Sequence, residues 1–183
     1  MFTGMSINYS AATMAILDAL GDDPETRYHV RAVAEKARVS VGAASMILHT
    51  LESSGMLTVE QVGNMKFYQY NLSNPIARQF KVLFNTARLK PLADMLEEVA
   101  VQVVLFGSVA EGTDVRDSDV DLFVLTEHEK IVRETLARFV RKHHYSRPLS
   151  PIIMDAAGFA RLRREDPSLY QNILRGKVLW ERS

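Results

Sequence analysis

Apolar residues recur at helical spacing through the first half of the chain and bunch into short runs through the second. Met14, Ile16, Leu17 and Leu20 predict a first helix over 10–20, ended by Gly21 and the GDDPET turn. Val30, Val33, Ala34 and Ala37 predict a short second helix, the ARVS segment turns the chain, and 41–54 forms a third. The stripe of Ala44, Ile47, Leu48 and Leu51 on that third helix faces a core, and Gly55 stops it. LTVEQVGNMKFYQYNL then alternates as strands do on each side of Gly63-Asn64, a hairpin signal. Three helices followed by a hairpin predict a winged helix-turn-helix over 1–74.

Beyond a polar break at 71–75, the stretch 76–98 reads as a connecting helical segment interrupted at Lys90-Pro91. Ile76, Phe80, Leu83, Phe84 and Ala87 give it one apolar face. That face needs a partner, either the chain's own domains or a second copy in a homodimer. No Gly/Ser-rich linker intervenes, so the two halves are joined stiffly. Further on, 101–106 and 119–125 read as strands, 127–142 as a charged helix with Ile131, Leu136 and Phe139 on its apolar side, and 152–154 as a short strand. Asp155 is placed to cap a helix over 156–164, and Pro167 opens another that ends before Gly176.

Composition narrows the class rather than the function. A chain of 183 residues with 47% hydrophobic and 24% charged residues has room for one large domain or two small ones, each with its own core. No cysteine means no disulfide framework and no thiolate metal site, as suits a reducing compartment. The start, MFTGMSINYS, lacks a basic segment followed by an apolar core, and no apolar run reaches membrane-spanning length. A cytoplasmic location without membrane contact is the expectation. Net charge is +0, and residues 1–75 hold five Lys/Arg against seven Asp/Glu, so nothing predicts strong non-specific phosphate binding.

The chemistry is concentrated in LFGSVAEGTDVRDSDVDLFVL, residues 105–125. In a strand Asp119 and Asp121 point to the same face, and two carboxylates at a sheet rim make a site for a divalent cation. Gly107 lets the chain turn sharply, and the N–H groups beyond Ser108 can receive phosphate oxygens. Gly-Ser, ten intervening residues and Asp-x-Asp resemble the signature of the polymerase-beta-like nucleotidyltransferases, particularly the minimal nucleotidyltransferases. The tail NILRGKVLWER is similar to the C-terminal end of those proteins, so the resemblance covers 99–182.

That resemblance implies an α/β nucleotidyltransferase domain with a small mixed sheet over 99–183, preceded by the 75–98 segment and the 1–74 domain, an α+β chain overall. It also implies transfer of a nucleoside monophosphate from a triphosphate, with ATP the expected donor, to a protein or small-molecule hydroxyl. Asp119 and Asp121 would hold Mg2+ as catalytic and metal residues, while Gly107, Ser108 and their neighbouring N–H groups bind the nucleotide phosphates. Gly112 lets the loop pass close to the nucleotide, and Thr113, Arg116 and Ser118 either hold that loop or serve as ordinary turn residues. A third carboxylate belongs on a later neighbouring strand. Here that strand reads SPIIM, with Ser150 or Pro151 near the place, and Asp155 is either the missing acid or a helix cap. His143-His144 and Arg138, Arg141, Lys142 and Arg147 read as a solvated helix end.

VRAVAEKARVSVGAASMILHTLESSGML resembles winged-helix transcription regulators of the MarR/ArsR kind. By that resemblance 41–54 is the recognition helix and the hairpin at Gly63 the wing. Arg38 stands where glycine is usual, so it either takes a left-handed conformation or reshapes the turn. Met46 stands where a cation is common. The outward face carries Ser45 and His49 but no permanent charge, which leaves Arg31, Arg38 and Lys66 to supply contacts to double-stranded DNA. A protein-contact or dimerisation role is the alternative. Two functions follow: a transferase with a DNA-binding regulatory domain, its acceptor a partner such as a HEPN-type toxin, or a DNA-binding regulator whose degenerate transferase domain binds nucleotide without turnover.

Overall fold

The computed structural model describes residues 7–182; residues 1–6, read above for a leader, and Ser183 lie outside the described residues. Contacts divide the chain at Lys81/Val82 into two compact units. In the first unit α1 (Ala11–Gly21) is capped by Ser10, whose hydroxyl accepts from the Thr13 N–H. A two-residue strand β1 (Tyr28–His29), which the periodicity does not predict, leads into α2 (Val30–Lys36), followed by α3 (Val41–Ser53). Strands β2 (Leu57–Val62) and β3 (Met65–Tyr70) form the hairpin at Gly63-Asn64, and β1 joins as a third antiparallel strand in the order β1-β3-β2. Ile16, Leu17, Leu20, Val33, Leu48 and Leu51 are buried. Arg38 adopts φ +55, the first of the two conformations open to it. Its N–H bonds to the Glu35 carbonyl, and the Val39 N–H to that of Ala34, closing α2 as a glycine would.

Helix α4 (Pro75–Leu96) is continuous through Pro91, where an interruption was expected. Proline removes the bond to the Ala87 carbonyl, but Ala87 is exposed, so water can satisfy that oxygen. The apolar face expected of this helix is only partly covered: Ile76, Leu83 and Ala87 are exposed, and Phe80 and Phe84 are half-buried. In the first unit α4 buries Ala77 and the stem of Lys81, whose ammonium donates to the Gly21 carbonyl. In the second it buries Asn85, Leu89, Leu92, Ala93 and Leu96. The longer polar side chains are tolerated there because each finds a hydrogen-bond acceptor.

The second unit is built on a four-stranded sheet in the order β6-β5-β4-β7, made of β4 (Gln102–Phe106), β5 (Val120–Leu125), β6 (Leu149–Met154) and β7 (Lys177–Glu181). β4 runs antiparallel to β5 and β7, whereas β5 and β6 are parallel, so the sheet is mixed. Both faces are covered, and alternate residues enter two cores. Val103, Leu105, Leu122 and Val124 pack with Leu89, Leu92 and Leu96 of α4 and with Val132, Leu136 and Phe139 of α6 (Glu129–His143). Val104, Phe106 and Phe123 pack with Leu162 of α7 (Ala156–Glu165) and Ile173 of α8 (Pro167–Arg175). β6 is longer than expected because Ser150 and Pro151, weak strand formers, are paired by β5. The edge strand β7 was not expected at all. It lies so close to β4 that a Cβ on Gly176 would strike Leu105 and Val104, so only glycine allows the chain from α8 to enter the sheet there.

Candidate functional site

The site forms where β4 ends, the short helix α5 (Gly107–Glu111) begins and β5 starts. Phe106 is the cross-strand partner of Asp121, so the residue after Phe106 must pass directly over that carboxylate. Gly107 does so with φ +69, and any Cβ there would fall on Asp121 Oδ2. The glycine is required twice, for its backbone conformation and for the space. Ser108 follows in α5, its carbonyl accepting from the N–H groups of Gly112 and Thr113. Gly112 ends the turn in a left-handed conformation, φ +69.

Asp121 lies on the same face as Phe123, the face that also carries Phe106. Asp119 is exposed and stands one residue ahead of β5, not within it as expected. The two carboxylates nevertheless sense each other. Burial, and secondarily the Asp119 charge, push the Asp121 carboxyl above its ordinary range. A carboxyl whose ionisation is opposed by burial and by a neighbouring carboxylate fits a hard divalent cation, because the ion relieves both costs. The fit covers two ligands only: among the described residues no group of three or more His, Cys, Asp or Glu is placed to hold a metal.

The parallel ladder decides between the two readings of Asp155. Asp121 pairs with Ser150, and Leu125 with Met154, so Asp155 follows the far end of β6. It lies five positions beyond Ser150, about 16 Å along a strand. There its carboxylate accepts the Gly158 N–H at 2.6 Å and caps α7. Asp155 is a cap and not a neighbour of Asp119 and Asp121. The expectation that it completes a catalytic triad of acids fails for that geometric reason, while Ser150 does occupy the place opposite Asp121.

Between α5 and β5 the residues 113–118 are held by a network that the sequence reading missed. The buried Asp114 accepts from Asn85 Nδ2 at 3.0 Å and from Arg147 Nη1 at 2.8 Å. Asn85 also donates to the Val109 carbonyl of α5 at 3.1 Å. Ser118 Oγ accepts the Val115 N–H at 2.9 Å, so this residue does shape the loop, while Thr113 is half-buried and Arg116 exposed in the turn. Arg147 was expected at a solvated helix end. Its side chain is only 15% exposed and belongs to this loop instead. A basic residue a few positions before a strand gives no periodic signal, and only the parallel β5–β6 pairing brings it to 114–118.

In the first unit Arg31, Arg38, Ser45 and His49 are all exposed. His49 Nδ1 and Lys66 Nζ each stand 3.7 Å from Glu52 Oε2, so the hairpin lysine already has an anionic neighbour within its own unit.

The Polbeta family model, described as "Polymerase beta, Nucleotidyltransferase", matches residues 88–183, just over half of the chain. No curated protein matches by sequence. A solved structure of human N-acetylserotonin methyltransferase in complex with SAM is similar at 25% identity over 48% of this chain and 29% of that one. Its TM-score of 0.31 is too low to carry an argument about fold or function, and the chain spans less than a third of that protein's length. The family match and the geometry coincide, since the matched region contains β4, the Gly107 turn and the Asp119/Asp121 pair. The chain belongs to the polymerase beta nucleotidyltransferase family.

Proposed function

We propose that the second unit transfers a nucleoside monophosphate, with ATP the expected donor, to a hydroxyl on a protein or small molecule. The observation that carries this reading is the seating of Gly107 directly against Asp121, with Asp119 two residues before it. In such a reaction an acceptor hydroxyl attacks the alpha-phosphorus and pyrophosphate leaves, so negative charge on the phosphate oxygens has to be neutralised. Mg2+, held by Asp119 and Asp121, would supply that charge. Ser108 and the backbone of the β4–α5 turn orient the distal phosphates, and Gly112 lets residues 113–118 lie close to them. In the first unit, three helices, a hairpin and a left-handed Arg38 between α2 and α3 support a winged helix-turn-helix that reads double-stranded DNA. A HEPN-type toxin as acceptor, and a homodimer, remain part of this proposal on the strength of the resemblance.

Incubation with alpha-labelled ATP, Mg2+ and the product of a neighbouring gene is expected to leave a covalent nucleotide on the acceptor. Asp121→Asn is expected to abolish the label and spare the fold, because the amide keeps the shape without the charge. Retained labelling would overturn the assignment.

One observation favours a second reading, a DNA-binding regulator that senses nucleotide without turnover. Ser150 stands where a third carboxylate would complete the cation site. This reading predicts no labelled acceptor in a lysate but a change in affinity for promoter DNA when ATP is added. With Lys66 beside Glu52, binding to random duplex should be weak and its salt dependence shallow.

A further inference from the structure

We propose that Arg147 is a positioning residue for Asp119, fixing the peptide that presents this carboxylate to a divalent cation. The proposal rests on the reading of Asp119 and Asp121 as a cation site. Asp119 lies ahead of β5 and is exposed, so its place depends on its neighbours in sequence. The Ser118 carbonyl, immediately before it, accepts from Arg147 Nη2 at 2.9 Å and from Nε at 3.2 Å. The Val120 N–H, immediately after it, donates to the carbonyl of Pro148 at 2.9 Å. Two consecutive residues that lead into β6 therefore hold the chain on both sides of Asp119.

The rest of the guanidinium is committed to the same loop. Nη1 donates to Asp114 at 2.8 Å and Nη2 reaches the Val115 carbonyl at 3.4 Å. Asp114, in turn, is tied by Asn85, which also holds α5 through Val109. The turn that carries Gly107 and Ser108 and the loop that carries Asp119 thus share one hydrogen-bonded frame. A planar fork can hold a carboxylate and a backbone carbonyl in fixed directions at once, which an ammonium on a flexible stem cannot do. Asp114 is 3% exposed and paired, so it serves the frame and is not a cation ligand.

The sign of the effect separates positioning from simple electrostatics. Removing a positive charge near a cation site should, by charge alone, tighten cation binding. Losing the frame should weaken it. Mn2+ binding to the full chain, read by electron paramagnetic resonance with a non-hydrolysable ATP analogue present, tests this independently of turnover. Arg147→Gln is expected to weaken Mn2+ by about tenfold, the loss of one well-placed ligand. Arg147→Lys keeps a charge beside Asp114 and decides the matter where the glutamine variant does not fold. It is expected to weaken Mn2+ several-fold at an unchanged melting temperature. Arg141→Gln, an exposed cation at the end of α6, should not weaken it. Unchanged or tighter Mn2+ binding in folded Arg147 variants overturns the proposal. A wild-type chain that binds no Mn2+ overturns the cation-site reading itself, and the role of Arg147 with it.

Discussion

Ser150 stands directly across the parallel β5–β6 ladder from Asp121, at a distance that adjacent strands fix at about 4.8 Å. A carboxylate at this position would share a face with Asp121, and if the proposed cation site at Asp119 and Asp121 is correct it would reach the same ion. Ser150→Asp is therefore expected to tighten Mn2+ binding by about tenfold, the weight of one charge-assisted contact. The same substitution should lower the melting temperature without metal, because a third anion joins two that already repel. Calorimetry with and without Mn2+ reads both effects; tighter binding with no cost to the metal-free protein would place Ser150 away from the pair.

The raised pKa of Asp121 has a consequence for stability with a definite sign. A carboxyl whose folded pKa exceeds its unfolded one takes up a proton on folding between those two values, so ionisation costs stability above the folded value. Below the unfolded value, in the ordinary carboxylate range, both states are protonated and the cost is gone. Asp121→Asn should raise the melting temperature at neutral pH, and the gain should shrink to nothing as the pH falls through that window. A gain that persists at acid pH would mean the substitution acts by packing instead. Added Mn2+ should reverse the order, stabilising the wild type alone.

Asp155 offers a control at the other end of the same strand pair. Asp155→Ala removes the cap of α7 and is expected to cost about 1 kcal/mol, measured as a lower denaturant midpoint. Mn2+ and nucleotide affinity should be unaffected, since the carboxylate is far from Asp119 and Asp121. A loss of metal affinity at full stability would return Asp155 to the site.

Arg38 carries a measurable strain. A side chain in the left-handed region costs roughly 1–2 kcal/mol, offset in part by the entropy that a glycine loses on folding. Arg38→Gly should stabilise the first unit by about 1 kcal/mol, seen as a shift in denaturant midpoint at constant slope. If the arginine contacts DNA, the same variant binds promoter duplex more weakly and with a salt slope about one unit shallower, the signature of one lost phosphate contact. Stability gained without any change in DNA binding would leave Arg38 as a turn residue only.

Local patterns determined a large part of this protein. The helical stripes of α1 and α3, the hairpin at Gly63-Asn64, the caps at Ser10 and Asp155 and the strand-to-helix turn at Gly107 are each set by residues within a few positions of one another. Gly107, Asp119 and Asp121 were legible because apolar strands flank them and the Gly-Ser to Asp-x-Asp spacing marks them, although α5 and the 113–118 loop lie between the two strands. What the tertiary structure decided lies across longer separations. Whether Asp155 or Ser150 faces Asp121 depends on the register of two parallel strands separated by α6, which no local pattern encodes. Asn85, Asp114 and Arg147 meet only because α4, the 113–118 loop and the approach to β6 converge on one loop. The course of α4 is the same lesson: of the apolar face read from its sequence, Ile76, Leu83 and Ala87 stay exposed and Phe80 and Phe84 are half-buried, while Lys81 and Asn85 are buried because acceptors from elsewhere in their own units satisfy them. Burial of a polar side chain is a statement about its partners, and those partners exist only once the chain has folded.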